Sequence, residues 1–374
     1  MLPYLPLWFC LLLALIVRAW LVFHTRGVID GDEAMVGIQA QHILRGELPV
    51  YYISQAYMGS VEAYLMALLF AIFGSSVWTL RAEPALLSLL VVWLTWKLAA
   101  LLADAAKLPP YIKQRFMIIA TLLAALPPLY DAIIELRTLG GYIETFVLML
   151  LLLISAFRLT QRWHEGASTR ELALRWASIG FIVGLGFWVN PLIISAVLAA
   201  AIRIVGYCLQ AIWSAGKLGP ISTKRDASGG LQGTPTPSLA SIALSATTAL
   251  PACIIGFAPA LYWGATNSWR NITYILTNGG GVSNQRLATI NKVVHLYTSC
   301  IVRRIIGGAL PDVNRTAIFP RLFTLGLAIG VLYLLITVIV FALSFFWHHP
   351  LLLQMRQLVG FPLLFGVCTA FIFC

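Results

Sequence analysis

Apolar runs of about twenty residues, separated by short polar segments, fill most of this chain, and that is the length an α-helix needs to cross a bilayer. The first run covers 2–23, with Arg18 near enough to its end to snorkel toward the headgroups. Residues 24–83 break the pattern. There Val36, Ala40, Ile43 and Leu44 share one face of a short helix over 33–44, which Gly46 and Pro49 end. Ser60 is placed to cap a second helix. Its stripe of Val61, Tyr64, Leu65, Leu68, Leu69, Ile72 and Phe73 has the i, i+3, i+4, i+7 spacing of an interfacial segment. A helix over 60–73 is about 21 Å long, short of a bilayer's hydrocarbon core of roughly 30 Å. The expectation is a first outer loop, 24–83, carrying two interfacial helices.

Further spans are predicted over 84–102, 116–130 and 142–157. The stretch 176–209 contains Asn190-Pro191. Proline breaks a helix and disfavours it one residue earlier, so the stretch reads as two short spans turning at that pair. One long kinked helix is the alternative, and it would invert everything downstream. A Gly-, Ser- and Pro-rich linker follows over 216–238, then a seventh span over 239–263. A long outer loop over 264–321 and spans near 322–347 and 358–374 complete the pattern. The chain therefore reads as all-α, a single polytopic membrane module over 1–374 with about nine transmembrane helices. Its last residues still lie inside an apolar run, which predicts truncation at the C-terminus. No internal repeat is visible.

Charge sets the expected orientation. If 61–80 does not cross, then Lys107, Lys113 and Arg115, and later Arg158, Arg162, Arg170 and Arg175, all fall in the cytoplasm, as the positive-inside rule prefers. The long outer loop carries Arg270, Arg286, Lys292, Arg303, Arg304, Arg315 and Arg321 and strains that rule, but long loops count less in it. Composition agrees: the chain is 60% hydrophobic and only 10% charged, far from a soluble domain. The net charge of +11 comes from Lys and Arg in loops between apolar runs, so it addresses membrane lipids, not nucleic acid. The six cysteines form no C-x-x-C pair, and the histidines show no metal-ligand spacing. The N-terminal run lacks a basic leader and a small-residue cleavage site, which predicts a retained anchor.

In so uncharged a chain, Asp30-Gly31-Asp32-Glu33 stands out at a membrane boundary. A carboxylate there can act as general base toward an acceptor hydroxyl or amine. Asp30-x-Asp32 is also a D-x-D arrangement able to hold a divalent cation through hard oxygens. Asp30 and Glu33 equally have capping-box spacing, so a helix cap alone accounts for them. On the same outer face, Glu144 at the mouth of a span is costly unless paired or lining a cavity; an ion pair of Arg137 with Glu144 or Glu135 is the plain alternative. Gln55, Tyr57 and Glu62 are suited to sugar hydroxyls and sugar faces, though Tyr51, Tyr52 and Tyr57 equally suit an interfacial aromatic belt. Asn271-Ile-Thr and Asn314-Arg-Thr are glycosylation sequons.

The order of these features resembles the GT-C superfamily of membrane glycosyltransferases. An anchor is followed by D-E-A at Asp32, H-I-L-R-G-E-L-P from His42, Q-x-Y-x-G-S-x-E-A-Y from Gln55, an apolar helix ending in Phe73-Gly74, then Arg81 and Pro84. Gly140-Gly141-Tyr142-Ile143-Glu144 is similar to that superfamily's second acidic motif, and Gly184 to Pro191 to its later broken-helix motif. The likeness, which runs from about Leu12 to Trp269, is nearest the family-39-like branch with the protein O-mannosyltransferases and the lipid A aminoarabinose transferases. Two departures stand out: Ser60-Val61-Glu62 replaces a lysine-proline-proline, and Asn190 replaces a lysine.

The resemblance implies inverting transfer of a sugar from a polyprenyl-phosphate-linked donor to a lipid, glycan or protein acceptor. The site would face outward from the plasma (inner) membrane of a bacterium or archaeon. Asp32 matches the catalytic base; Glu33, Gln55, Tyr57, Glu62, Arg137 and Glu144 are the expected substrate-binding residues. No cofactor and no metal is expected, although the D-x-D leaves a divalent cation open. The alternative from another class is a polytopic transporter or lipid flippase without transferase activity, which would show repeated halves. A third reading is a membrane scaffold in which the acidic cluster only caps a helix.

Overall fold

The computed structural model describes residues 4–53, 55–127, 134–217 and 244–277, with the single position 339. Helix α1 (Leu5–His24) is followed by α2 (Gly31–Leu44), a two-stranded ribbon of β1 (Tyr51–Tyr52) and β2 (Gln55–Gly59), and α3 (Val61–Phe73). Then come α4 (Val77–Ala105), α5 (Pro110–Ala125), α6 (Tyr142–His164), α7 (Thr169–Val189), a 3-10 turn at Pro191–Ile193, α8 (Ile194–Lys217), α9 (Ala249–Thr266) and α10 (Arg270–Thr277). Among the described residues, 6 helices are long and apolar enough to cross a membrane: α1, α4, α6, α7, the 3-10 turn with α8, and α9 with the turn before it. The spans expected near 322–347 and 358–374, the linker over 216–238 from 218 on, and the long loop beyond 277 lie outside the described residues.

Helix directions follow from side-chain neighbours. Leu7 packs with Trp96 and Met117, and Ala14 with Val92 and Ala125, so α1 runs antiparallel to α4 and parallel to α5. Arg203 of α8 donates to Thr160 Oγ1 of α6 at 3.2 Å, and Tyr207 meets His164 at 3.1 Å, so α8 runs parallel to α6. Val189, at the end of α7, lies against Gly141, at the start of α6, so α7 runs the other way. The chain thus reverses at Asn190, as the Asn190-Pro191 pair predicts. The two segments are of full crossing length, 21 and 24 residues, rather than short. The Asn190 side chain accepts from Leu192 N at 3.1 Å and caps the 3-10 turn.

Helices α7 and α9 meet backbone to backbone. A Cβ added at Gly180 or Gly184 would collide with the Ala249 or Cys253 carbonyl, and one at Gly256 would lie 2.5 Å from Phe181 O. Small residues four apart let membrane helices approach this closely. At one end of the bundle sit Asp104 with Lys113, and Arg162 with Glu165 and Glu171. The opposite end carries α2, the ribbon, α3 and the loop before α6.

Several expectations change. Arg18 does not snorkel. It is 2% exposed and donates to Ser88 Oγ at 3.0 Å, to the Ala124 and Ala125 carbonyls, and to Glu135 at 2.6 Å. The second span starts at Val77, not residue 84, because Ser76 accepts from Thr79 N and caps it, with Pro84 inside the helix. The third expected span is a 16-residue helix starting at Pro110, packed between α1 and α4. Helix α3, at 13 residues, is about 20 Å long and too short to cross. Ser60 makes no side-chain cap; its hydroxyl accepts from Gln39 Nε2 at 2.9 Å. The stripe expected along α3 points outward, with Leu68, Ile72 and Phe73 exposed, while Glu62, Ala63, Met66, Ala67 and Phe70 pack inward. The ribbon was not expected in an all-α chain.

Candidate functional site

Helix α2 begins with a complete capping box. Asp30 Oδ1 accepts from Glu33 N at 3.0 Å, and Glu33 Oε2 accepts from Asp30 N at 3.2 Å. Asp30 therefore is the cap, as its spacing predicts. Glu33 is buried and takes a second donor, Arg81 Nη2, at 3.0 Å. The same arginine donates to Val28 O at 2.8 Å, tying α4 to the chain before α2. Arg137, from the loop before α6, forms an ion pair with Asp30 and lies 3.7 Å from Glu33. Burial raises the Glu33 carboxyl above its ordinary range, and the Arg81 charge and hydrogen bond pull it part of the way back. Asp32 is different. Its side chain is exposed and pairs with no basic group among the described residues, while its backbone carbonyl accepts from the buried Tyr52 hydroxyl at 2.8 Å.

The loop before α6 also makes an anion cradle. Gly140 and Gly141 have φ of +83° and +88°, conformations that favour glycine. This turns three successive amides toward Glu62. Leu139 N donates to Oε1 at 3.1 Å, and Gly140 N and Gly141 N to Oε2 at 2.5 and 2.8 Å. Consecutive amides in such a turn form a nest for negative charge. A Cβ at Gly140 would also lie 2.8 Å from Met58 Sδ, so this glycine is required by space as well as by φ.

Glu62 does not stand alone. Glu83, in the second turn of α4, and Glu144, in the first turn of α6, bring carboxylate oxygens within 4.8 Å of it and of one another. All three residues are buried. No N–H or hydroxyl among the described residues donates to any of the four carboxyl oxygens of Glu83 and Glu144. The Glu83 and Glu144 carboxyls face each other closely enough to share a hydrogen bond when one of them is protonated. Burial first, then the Glu144 charge, pushes the Glu62 carboxyl well above its ordinary range against the pull of its three amides.

The expected site residues therefore separate. Glu33 and Arg137 join Asp30 and Arg81; Glu62 and Glu144 join Glu83; Asp32 lies exposed beside the first group. Arg137 pairs with neither Glu144 nor Glu135, and Glu135 pairs with Arg18 instead. The D-x-D is not a free chelate, because Asp30 is held by the cap and by Arg137. Gln55 is half-buried with its Oε1 lacking a donor, and Tyr57 stacks on Tyr274 of α10 with ring centroids 5.1 Å apart. Tyr51 and Tyr52 are buried and are not a belt at an interface; Tyr51 Oη accepts from Asn271 Nδ2 at 3.0 Å. Asn271 is itself buried, so that sequon is closed in the fold; Asn314 lies outside the described residues.

Sequence reasoning passed over Glu83, the third carboxylate. Its signal was present: an acid beside Pro84 at the edge of an apolar run. Comparison with protein-family models, with curated proteins and with solved structures finds no match to this chain.

Proposed function

We propose that this protein is an integral membrane glycosyltransferase of the GT-C type, moving a sugar from a polyprenyl-phosphate-linked donor to a lipid, glycan or protein acceptor. The observation that carries the reading is Asp32: an exposed carboxylate with no ion pair among the described residues, on the first turn of a capped helix, next to two arginine–carboxylate pairs. A base needs access to its substrate and a fixed position, and a capped helix end supplies the second. In the proposed step, Asp32 takes the proton of the acceptor O–H or N–H. The freed electron pair forms the bond to the anomeric carbon from the face opposite the phosphate. The carbon–oxygen bond to phosphate breaks, its electron pair leaves with the polyprenyl phosphate, and the configuration inverts. Arg137, whose side chain is 27% exposed, is the cation offered to the leaving phosphate. Gln55 and Tyr57 line the sugar side. No metal takes part in this step.

The positive-inside rule supports an outward-facing site, since Lys113, Arg162 and Arg175 gather at the opposite end of the bundle; a bacterial or archaeal plasma membrane is what the family resemblance implies. One observation favours the other reading, a transporter or flippase: buried carboxylates such as Glu62, Glu83 and Glu144 are also the material of ion and proton pathways. The experiment that separates them uses purified protein in vesicles with a panel of polyprenyl-phosphate sugars and simple acceptors. The transferase reading expects a glycosidic product of inverted anomeric configuration, read by NMR. Solute uptake or lipid flipping with no such product would favour transport.

A further inference from the structure

Three buried carboxylates within 4.8 Å of one another need a counter-charge that the described residues do not provide. The two nearby arginines are engaged elsewhere, Arg81 with Glu33 and Val28 O, and Arg137 with Asp30. Glu62 alone is solvated by protein, through three amides that favour its anion. Glu83 and Glu144 are 3% and 5% exposed, and among the described residues no N–H or hydroxyl donates to their four oxygens. Buried polar atoms are nearly always satisfied, so one carboxylate oxygen from each of three buried residues within 4.8 Å of one another, with two of those residues receiving no donor among the described residues, points to a ligand between them.

The ligand has to be a cation, and its size is bounded. Three points no more than 4.8 Å apart have a point within about 2.8 Å of all of them, close to the roughly 2.3–2.6 Å of calcium–oxygen bonds and a small side-chain shift from the roughly 2.1 Å of magnesium. A shared proton is the competing solution. It occupies one oxygen pair and leaves the other oxygens orphaned, whereas a divalent ion draws on all three groups. We propose that Glu62, Glu83 and Glu144 form a binding site for one divalent cation with a preference for hard oxygen ligands. The ion would join the starts of α3 and α6 to α4 and so fix the Leu139–Gly141 turn. Its role is positional, and the inference does not rest on the transferase reading.

The test uses the full chain, purified in detergent and stripped with chelator. Calcium, magnesium or manganese chloride is added while thermal unfolding is followed. The expected result is a saturable rise in Tm with at least one ion, with a midpoint concentration at least tenfold higher in Glu83→Gln and in Glu144→Gln. Glu33→Gln, from the neighbouring acidic group, should keep the wild-type midpoint. Manganese bound to the wild-type chain is counted independently by its paramagnetic resonance signal, at one displaceable ion per chain; this holds even where a variant fails to fold. Absence of any cation-dependent shift and of bound manganese overturns the proposal. So does an unchanged midpoint in folded Glu83→Gln and Glu144→Gln, or a Tm that responds to pH but to no divalent ion, which is the signature of a shared proton.

Discussion

The acidic group at the start of α2 and the acidic group between α3, α4 and α6 are served by the same loop, yet their charge is offset in different ways. Arg137 of that loop, together with Arg81, meets Asp30 and Glu33 with opposite charge. Three amides from the same loop, Leu139 to Gly141, meet Glu62 with dipoles alone, and among the described residues no N–H or hydroxyl donates to Glu83 or Glu144. A buried charge has to be matched by charge or by several hydrogen bonds. The first group is matched within the protein, and its exposed member, Asp32, pairs with no basic group among the described residues, as the proposed base requires. The second is not matched, and it is there that an ion is expected.

The largest effect should come from breaking the matched group. Arg81→Ala removes the hydrogen-bonded cation of buried Glu33 and leaves only Arg137 at 3.7 Å, and should lower stability by about 3 kcal/mol in thermal or denaturant unfolding. A loss within 1 kcal/mol would mean that Glu33 is neutral and the two groups are alike. Next is the loop that serves both. Gly140→Ala forces a Cβ onto a residue at φ +83° and against Met58, and should cost roughly 1–3 kcal/mol while disturbing both groups at once.

The unmatched group should also show itself through pH. The Glu62 carboxyl is raised above its ordinary range, so the folded state binds that proton more tightly than the unfolded chain does. Its contribution to stability is therefore complete below the unfolded value of about 4.3 and is lost as pH rises through the raised folded value. In chelator-treated protein, Tm should fall over that interval, and Glu62→Gln should flatten the fall. A Tm that rises with pH there would contradict the assignment. The smallest effect belongs to an exposed pair that neither group needs. His42 and Glu47 meet at 2.7 Å with both side chains in solvent, and Glu47→Gln should change stability by no more than about 1 kcal/mol.

Local chemistry was legible in the sequence. The capping box at Asp30 and Glu33 uses residues three apart, and the reversal at Asn190 needs only the proline after it. The short α2 and α3 were visible from periodicity, though α3 turns its expected stripe outward and buries Ala63 and Ala67 in a cluster with Val36 and Ala40 of α2. Contacts across the fold were not legible. Arg18 and Glu135 are 117 positions apart, so an arginine near the end of a span read as a snorkel. Glu62 meets amides 77 to 79 positions away, and nothing local marks it as an anchor for Leu139–Gly141. The ribbon escaped because its strands have 2 and 5 residues, too few for a period of two to declare itself.

If Asp32 accepts the acceptor's proton, the rate of sugar transfer from a polyprenyl-phosphate donor by Asp32→Asn reports it, with unfolding measured alongside. Among the described residues the Asp32 side chain makes no hydrogen bond and no ion pair, so the variant should unfold at the wild-type temperature. Its kcat should fall by at least about a hundredfold with KM little changed, as removal of a general base implies. A folded Asp32→Asn protein that transfers sugar at the wild-type rate would contradict the account.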